Sequence, residues 1–253
     1  MLFVIDIGNT NTVLGIYEGD FLVHSWRIRT QRNITEDEFH ILIKNLLNSY
    51  NIDINNISNT IVSCVVPHVM EIIDSFCRKY LGHPPKWIDS NCVSMPILYT
   101  NPAEVGADRI VNAVAAYEKY KNSLIIIDFG TATTFDCISE NGEYLGGAIS
   151  PGIKISAEAL FEKASKLPKV EIFNPPKNVI GKDTANSMKS GIIFGYAGLV
   201  DGIVERICKE MNKTPLVIAT GGLAQLMSGV SKTIEKVEED LTLDGLFLIS
   251  KYL

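Results

Sequence analysis

The chain has 253 residues, with 23 lysines and arginines against 29 aspartates and glutamates, for a formal net charge of −6 at pH 7. That acidic balance excludes a broad nucleic-acid surface, which is usually basic, yet leaves room for anionic ligands held by a few cations and main-chain amides. No apolar run has the roughly 20 residues that span a bilayer, the amino terminus lacks the pattern of a secretory leader, and five scattered cysteines show no C-x-x-C pair or metal spacing, so a cytoplasmic protein with reduced thiols and a substantial apolar core is expected.

Three strands open the chain: LFVID, TVLGIY and FLVHSWRI. The first is a continuous apolar run, as a central buried strand should be, and Glu18-Gly19-Asp20 turns the second into the third. Thr35 and Glu38 form a capping box, and Phe39, Leu42, Ile43, Leu46 and Leu47 follow as one helical stripe. TIVSCVV, 60–66, reads as a buried strand ended by Pro67, and a helix over 69–81 is stopped by Gly82. Within YTNPAEVGADRIVNAVAAY, 99–117, the residues Ile110, Ala113, Val114 and Tyr117 share a helical face, which puts Gly106-Ala107-Asp108-Arg109 at that helix's start. Then LIIID, TFDCIS and EYLGGAI repeat the opening, with Glu140-Asn141-Gly142 at the turn. A long helix is expected over 187–211. It carries Gly191, Gly195, Gly198 and Gly202, which weaken a helix unless close packing requires them. PLVIATGG, 215–222, is a last buried strand with a glycine turn, and 240–252 a closing helix.

The two openings are copies of one unit. Asp6 aligns with Asp128 at an offset of 128 − 6 = 122, and the same offset pairs Gly8 with Gly130, Thr12 with Thr134, Ile16 with Ile138 and Glu18 with Glu140. A boundary near 117 gives domains 1–117 and 118–253. Two similar α/β halves, each with an Asp-x-Gly turn after its first strand, predict a nucleotide cleft between them.

The turns, DIGNTNT (Asp6, Ile7, Gly8, Asn9, Thr10, Asn11, Thr12) and DFGTATT, suit a phosphate with a metal ion attached. Glycine lets main-chain amides approach phosphate oxygens, and Thr10, Thr12, Thr131, Thr133 and Thr134 offer hydroxyls. The carboxylates of Asp6 and Asp128 would repel phosphate, so either each merely satisfies its turn or a cation such as Mg²⁺ stands between. TGGLA, 220–224, is a plain turn or a wall for a flat base. Asp108 and Arg109 are a helix cap and a surface charge, or else a general base and a fork for an anionic acceptor.

Taken together, DIGNTNT, GADR, DFGTATT, the Ser150-Pro151-Gly152 turn and the TGG turn resemble the type III pantothenate kinases in order and spacing over nearly the whole chain. The resemblance implies duplicated actin-like (ribonuclease H-like) α/β domains and ATP-dependent phosphorylation of pantothenate, the first step of coenzyme A biosynthesis. It implies that Asp6 to Val13 and Thr131 bind ATP and that Asp108 is the catalytic base. Tyr99, Gly106, Ala107 and Arg109 would shape the acceptor site. It implies Mg²⁺ with the ATP and a monovalent cation, K⁺ or NH₄⁺, on Asp128, in place of the Mg²⁺ suggested by the residues alone. It also implies a homodimer in which Thr184 completes the partner's acceptor site. The competing readings are a kinase of another small alcohol or sugar, a non-catalytic regulatory homologue, and an actin-like ATPase, whose chains are much longer.

Overall fold

The computed structural model describes residues 1–172 and 174–253 and divides into two compact units. The first comprises Met1–Met95, Thr100–Ala115 and Leu241–Leu253; the second comprises Pro96–Tyr99 and Ala116–Asp240.

In the first unit, β1 (Leu2–Ile7), β2 (Asn11–Glu18), β3 (Phe21–Arg29), β4 (Asn59–Cys64) and β5 (Lys86–Trp87) form one sheet in the order β3-β2-β1-β4-β5. β1 runs antiparallel to β2 and parallel to β4. Helices cover both faces, which is why β1 is apolar along its length. Phe3, Ile5 and Ile7 meet Phe39, Ile43 and Leu47 of α1 (Glu36–Asn48) and Val69, Ile73 and Phe76 of α2 (Pro67–Phe76). Val4 and Ile61 face the other way, toward α3 (Ala107–Tyr120) and α7 (Leu241–Ser250). Each such side chain contributes about 1.5–3 kcal/mol when buried. The capping box of Thr35 and Glu38 is present. Pro67 both ends the strand segment and opens α2 at its first position, where its missing N–H costs nothing. The helix expected over 69–81 is α helix only to Phe76; Cys77–Leu81 is a π turn closed by left-handed Gly82.

In the second unit, β6 (Leu124–Phe129), β7 (Ala132–Ile138), β8 (Tyr144–Pro151), β9 (Leu216–Thr220) and β10 (Lys236–Val237) give the order β10-β9-β6-β7-β8. Ile125, Ile127 and Phe135 pack on Ile153 and Ala157 of α4 (Ile153–Lys163) and on Ile193, Ala197 and Val200 of α5 (Thr184–Met211). The short α6 (Ala224–Ser228) follows β9.

The sheets share strand order and direction throughout, so the duplication is real, but its offset is not constant. Ile7 pairs with Thr12 across the first turn and Phe129 with Thr133 across the second. The second turn is one residue shorter, so Thr12 corresponds to Thr133 at an offset of 133 − 12 = 121 rather than to Thr134. The bulges agree: the register shifts between Ile16 and Tyr17 in one copy and between Cys137 and Ile138 in the other.

Nor does a single cut at 117/118 describe the units. The chain crosses within α3, at 115/116, and 241–253 returns to the first unit. Leu243, Leu246 and Ile249 of α7 are buried there, Tyr17 stacks on Phe247 at 4.4 Å, and Gly245 crosses α3 so closely that a Cβ would stand 2.3 Å from the Val111 carbonyl oxygen. α5 begins at Thr184, three residues before the expected start, because Asp183 accepts from the Asn186 N–H at 2.8 Å as an N-cap. Of its glycines, Gly191, Gly195 and Gly198 have nothing in the described chain within 4 Å of where a Cβ would be. No described helix is long and apolar enough to cross a membrane.

Candidate active site

Asp6 stands near the carboxyl end of β1, in register with Val13 on β2 and Ser63 on β4. The turn beyond it is closed by the Gly8 N–H donating to Asn11 O at 3.0 Å. Thr30, just past β3, braces it. Its hydroxyl donates to Gly8 O at 2.7 Å and its N–H to Thr10 O at 3.0 Å. Arg32 donates to Asn9 Oδ1 at 3.2 Å. The Gly8 and Thr10 carbonyls are thus turned to Thr30. Asn9 and Thr10 are exposed. The Thr12 hydroxyl, in contrast, is buried and lies 3.0 Å from Thr30 Oγ1. It braces the turn from within.

The GADR segment joins the same end of the sheet. The Val65 N–H extends the β1–β4 ladder onto Ile7 O at 3.1 Å, and Gly106 lies over the Val65 side chain. α3 starts at Ala107, so Asp108 is in its first turn. The Asp108 carboxylate accepts the Arg109 N–H at 2.8 Å and lies over Gly106, where a Cβ would meet its Oδ1 at 2.6 Å. Burial pushes the Asp108 pKa above the ordinary carboxylate value, opposed by the Arg109 N–H and guanidinium. Arg109 is itself buried. A half-buried carboxylate with a raised pKa is suited to taking a proton.

In the second unit Asp128 is in register with Thr134 on β7 and Thr220 on β9. Three glycine turns converge on the segment it opens. Gly130 N–H donates to Ala132 O at 3.0 Å, and Gly152 N–H, from the Ser-Pro-Gly turn, to Thr131 O at 3.1 Å. Gly221, at φ +89°, packs closely on Asp128 and Phe129, so the TGG turn lies against the Asp128 turn. Thr131 is exposed, Thr133 is buried, and the Thr134 hydroxyl donates to Asp136.

Tyr99 also belongs to the second unit. The segment before it pairs with Tyr144 on β8, Tyr144 N–H to Pro96 O and Leu98 N–H to Tyr144 O, each at 2.8 Å. Thr184 is the exposed first residue of α5. The predicted residues thus fall into groups: Asp6 to Val13 with Gly106 to Arg109 in the first unit, Asp128 with Thr131 in the second, Tyr99 beside β8, and Thr184 apart at a helix start. Sequence reasoning missed Thr30 and Arg32, which carry no motif, and the buried pair Asp136 and Tyr144.

A duplicated five-stranded sheet with an Asp-x-Gly turn at the end of each first strand is the actin-like, sugar-kinase-like α/β fold. Solved structures share this fold: component A of (R)-2-hydroxyglutaryl-CoA dehydratase from Acidaminococcus fermentans, at TM-score 0.57 and 15% identity over 100% of this chain and 99% of that one; and the inorganic polyphosphate/ATP-glucomannokinase from Arthrobacter sp., at TM-score 0.50 and 15% identity over 99% and 98%. Identities this low speak for the fold alone.

Sequence narrows the class. The profile of the type III pantothenate kinases matches residues 2–206. Type III pantothenate kinase of Desulfatibacillum aliphaticivorans is 65% identical over 250 residues, 98% of this chain and 97% of the relative. That of Desulforapulum autotrophicum is 62% identical over 252 residues, 99% and 96%. The chain belongs to the type III pantothenate kinase family.

Proposed function

We infer that this protein transfers the γ-phosphoryl group of ATP to the 4′-hydroxyl of pantothenate, giving 4′-phosphopantothenate and ADP, the first step of coenzyme A biosynthesis. The observation that carries the reading is Asp108: a half-buried carboxylate of raised pKa at the start of a helix, beside Arg109, in a chain of this family. Asp108 takes the hydroxyl proton, the oxygen attacks the γ-phosphorus, and the bond to the ADP oxygen breaks. Asp6, Ile7, Gly8, Asn9, Thr10, Asn11, Thr12 and Val13 form one phosphate loop, in which Thr12 acts through the turn it locks, and Thr131 supplies a second contact to ATP. Tyr99, Gly106, Ala107 and Arg109 shape the acceptor site. Phosphoryl transfer asks of the protein mainly such positioning and charge neutralisation.

Among the described residues no group of three His, Cys, Asp or Glu forms a metal cage. That fits Mg²⁺ arriving with ATP, held by phosphate oxygens, waters and one or two carboxylates. Asp128, a single carboxylate against the Gly221 main chain, suits a monovalent cation, K⁺ or NH₄⁺. The protein acts as a cytoplasmic homodimer in which Thr184 completes the partner's acceptor site. What supports the dimer is the bare glycine face of α5 together with Val179 and Ile180, 68% and 80% exposed just ahead of it. What supports a reducing compartment is the odd, scattered set of cysteines.

The test is ATP consumption over a panel of acceptors with K⁺ present. Pantothenate should be turned over well ahead of glucose, glycerol or acetate; equal turnover of a sugar, or none of pantothenate, refutes the reading. Mixing Asp108→Asn and Thr184→Arg proteins tests the shared site. Subunit exchange, tracked by tags, should restore activity, because one pocket of each heterodimer then carries neither lesion.

A further inference from the structure

Asp136 is fully buried in the middle of β7, and Tyr144 fully buried on β8. A buried carboxylate is costly unless it is well hydrogen-bonded, and a packing role alone would be served by an apolar side chain. This one has directed partners: Oδ1 accepts the Tyr144 phenol at 2.6 Å, and Oδ2 accepts the Thr134 hydroxyl at 3.2 Å. Thr134 is the register partner of Asp128. Tyr144 in turn is fixed from several sides. Its main chain is bonded to Pro96 and Leu98, and its ring lies 6.5 Å from that of Tyr99.

The strand geometry makes this arrangement rigid. Ile138 pairs with Tyr144 and Cys137 with Gly146, so Leu145 is the extra residue of a bulge and points out to solvent. The bulge brings Tyr144 opposite Ile138, two residues on from Asp136 and so on the same face of β7, and bulges re-aim side chains in this way. Gly146 has φ +120° and faces the Tyr99 ring, while a Cβ at Gly147 would stand 1.7 Å from Phe135 O. The strand pair therefore cannot slide to relieve a change at Asp136.

We propose that Asp136 is a positioning residue for the acceptor alcohol: through the Tyr144 phenol it fixes the Tyr99 ring, while its second oxygen holds Thr134 beside the Asp128 turn. The inference rests on the reading of Tyr99 as an acceptor-site residue. Removing the phenol in Tyr144→Phe should raise the KM for pantothenate about tenfold or more, the size of one lost hydrogen bond to a charged group, with the KM for ATP within about twofold. Asp136→Ala should raise the pantothenate KM likewise and, because it also releases Thr134 beside the Asp128 turn, the KM for ATP with it. Asp136→Asn, whose amide still accepts from the phenol, should recover most of the affinity. Tyr99→Ala is measured alongside. An unchanged pantothenate KM in Tyr144→Phe, or both KM values rising together in that variant, overturns the inference. If Tyr99→Ala raises the pantothenate KM while Tyr144→Phe does not, the inference fails alone; if neither does, the reading of Tyr99 falls with it.

Discussion

Replacing Gly221 by alanine tests how the second unit holds its Asp128 turn. The φ of +89° lies where L side chains are strained, and a Cβ would stand 2.3 Å from Asp128 Oδ1 and 2.8 Å from Phe129 N and C. Two costs follow. The left-handed conformation costs about 1–2 kcal/mol for a residue with a Cβ. Forcing a methyl group against main chain that cannot rotate away adds about 1–3 kcal/mol. Gly221→Ala should therefore lose about 2–5 kcal/mol of stability. Gly19→Ala is the control, because Gly19 is also left-handed, at φ +58°, but has nothing within 4 Å of a Cβ. It should show only the first cost. Denaturant titration of both proteins gives the difference, and steady-state kinetics locates it. The extra methyl group displaces the Asp128 carboxylate, so Gly221→Ala should also raise the KM for ATP and blunt activation by K⁺, whereas Gly19→Ala should do neither. Equal stability losses in the two variants would refute the clash. A Gly221→Ala enzyme with normal ATP and K⁺ responses would refute the role given to Asp128.

Further outcomes follow from the same geometry. Asp108→Asn should lower kcat by about 100-fold or more without destabilising the fold at pH 7. Because the folded-state pKa is raised, the stability Asp108 contributes is complete below its unfolded value of about 3.9 and is lost as pH rises through the folded value. The variant's Tm should lack that decline, and a Tm–pH curve identical to wild type counts against the burial argument. The wild-type acid limb of kcat/KM for pantothenate should lie above about 3.9, and a limb at or below it argues against Asp108 as the base. Thr30→Val removes the 2.7 Å bond to Gly8 O and, at about 1–2 kcal/mol, should raise the KM for ATP about 5- to 30-fold with pantothenate affinity kept; an equal rise in both means the turn is not what moved. In sedimentation velocity Gly195→Leu should turn the proposed dimer into a monomer, and an unchanged sedimentation coefficient removes the α5 face from the proposed interface.

The hairpins and the two Asp-x-Gly turns are legible in the sequence because their signals are local. An apolar run, a turn glycine and a second apolar run need no knowledge of what lies across the sheet. The loop alignment is not local. DFGTATT offers both Thr133 and Thr134 as the counterpart of Thr12, and only the ladder, pairing Phe129 with Thr133, decides between them. The start of α5 is a near miss of the same kind, since Asp183 is recognisable as a cap only once its carboxylate is seen to accept from Asn186. The return of 241–253 is illegible for a different reason. An apolar helix must be buried, but nothing in its composition says against which of two similar sheets, and Gly245 on Val111 settles that by shape.

Asp136 and Asp108 show where sequence reading stops in chemical terms. In TFDCIS an aspartate between apolar residues reads as the solvent side of an alternating strand, yet Asp136 is fully buried, and the phenol and hydroxyl that satisfy it come from Tyr144 and Thr134. Asp108 reads equally well as a helix cap or as a base, because both roles place an acidic residue at a helix start. What separates them is solvation: a cap gains from its hydrogen bonds and stays a weak base, whereas burial raises the pKa and gives the carboxylate a use for the proton. Asp108 has the bond to the Arg109 N–H, yet its pKa moves up, so burial outweighs the cap. The same four letters, GADR, are compatible with either role, and the proposal of Asp108 as the base rests on this raised pKa at the start of α3 beside a buried Arg109.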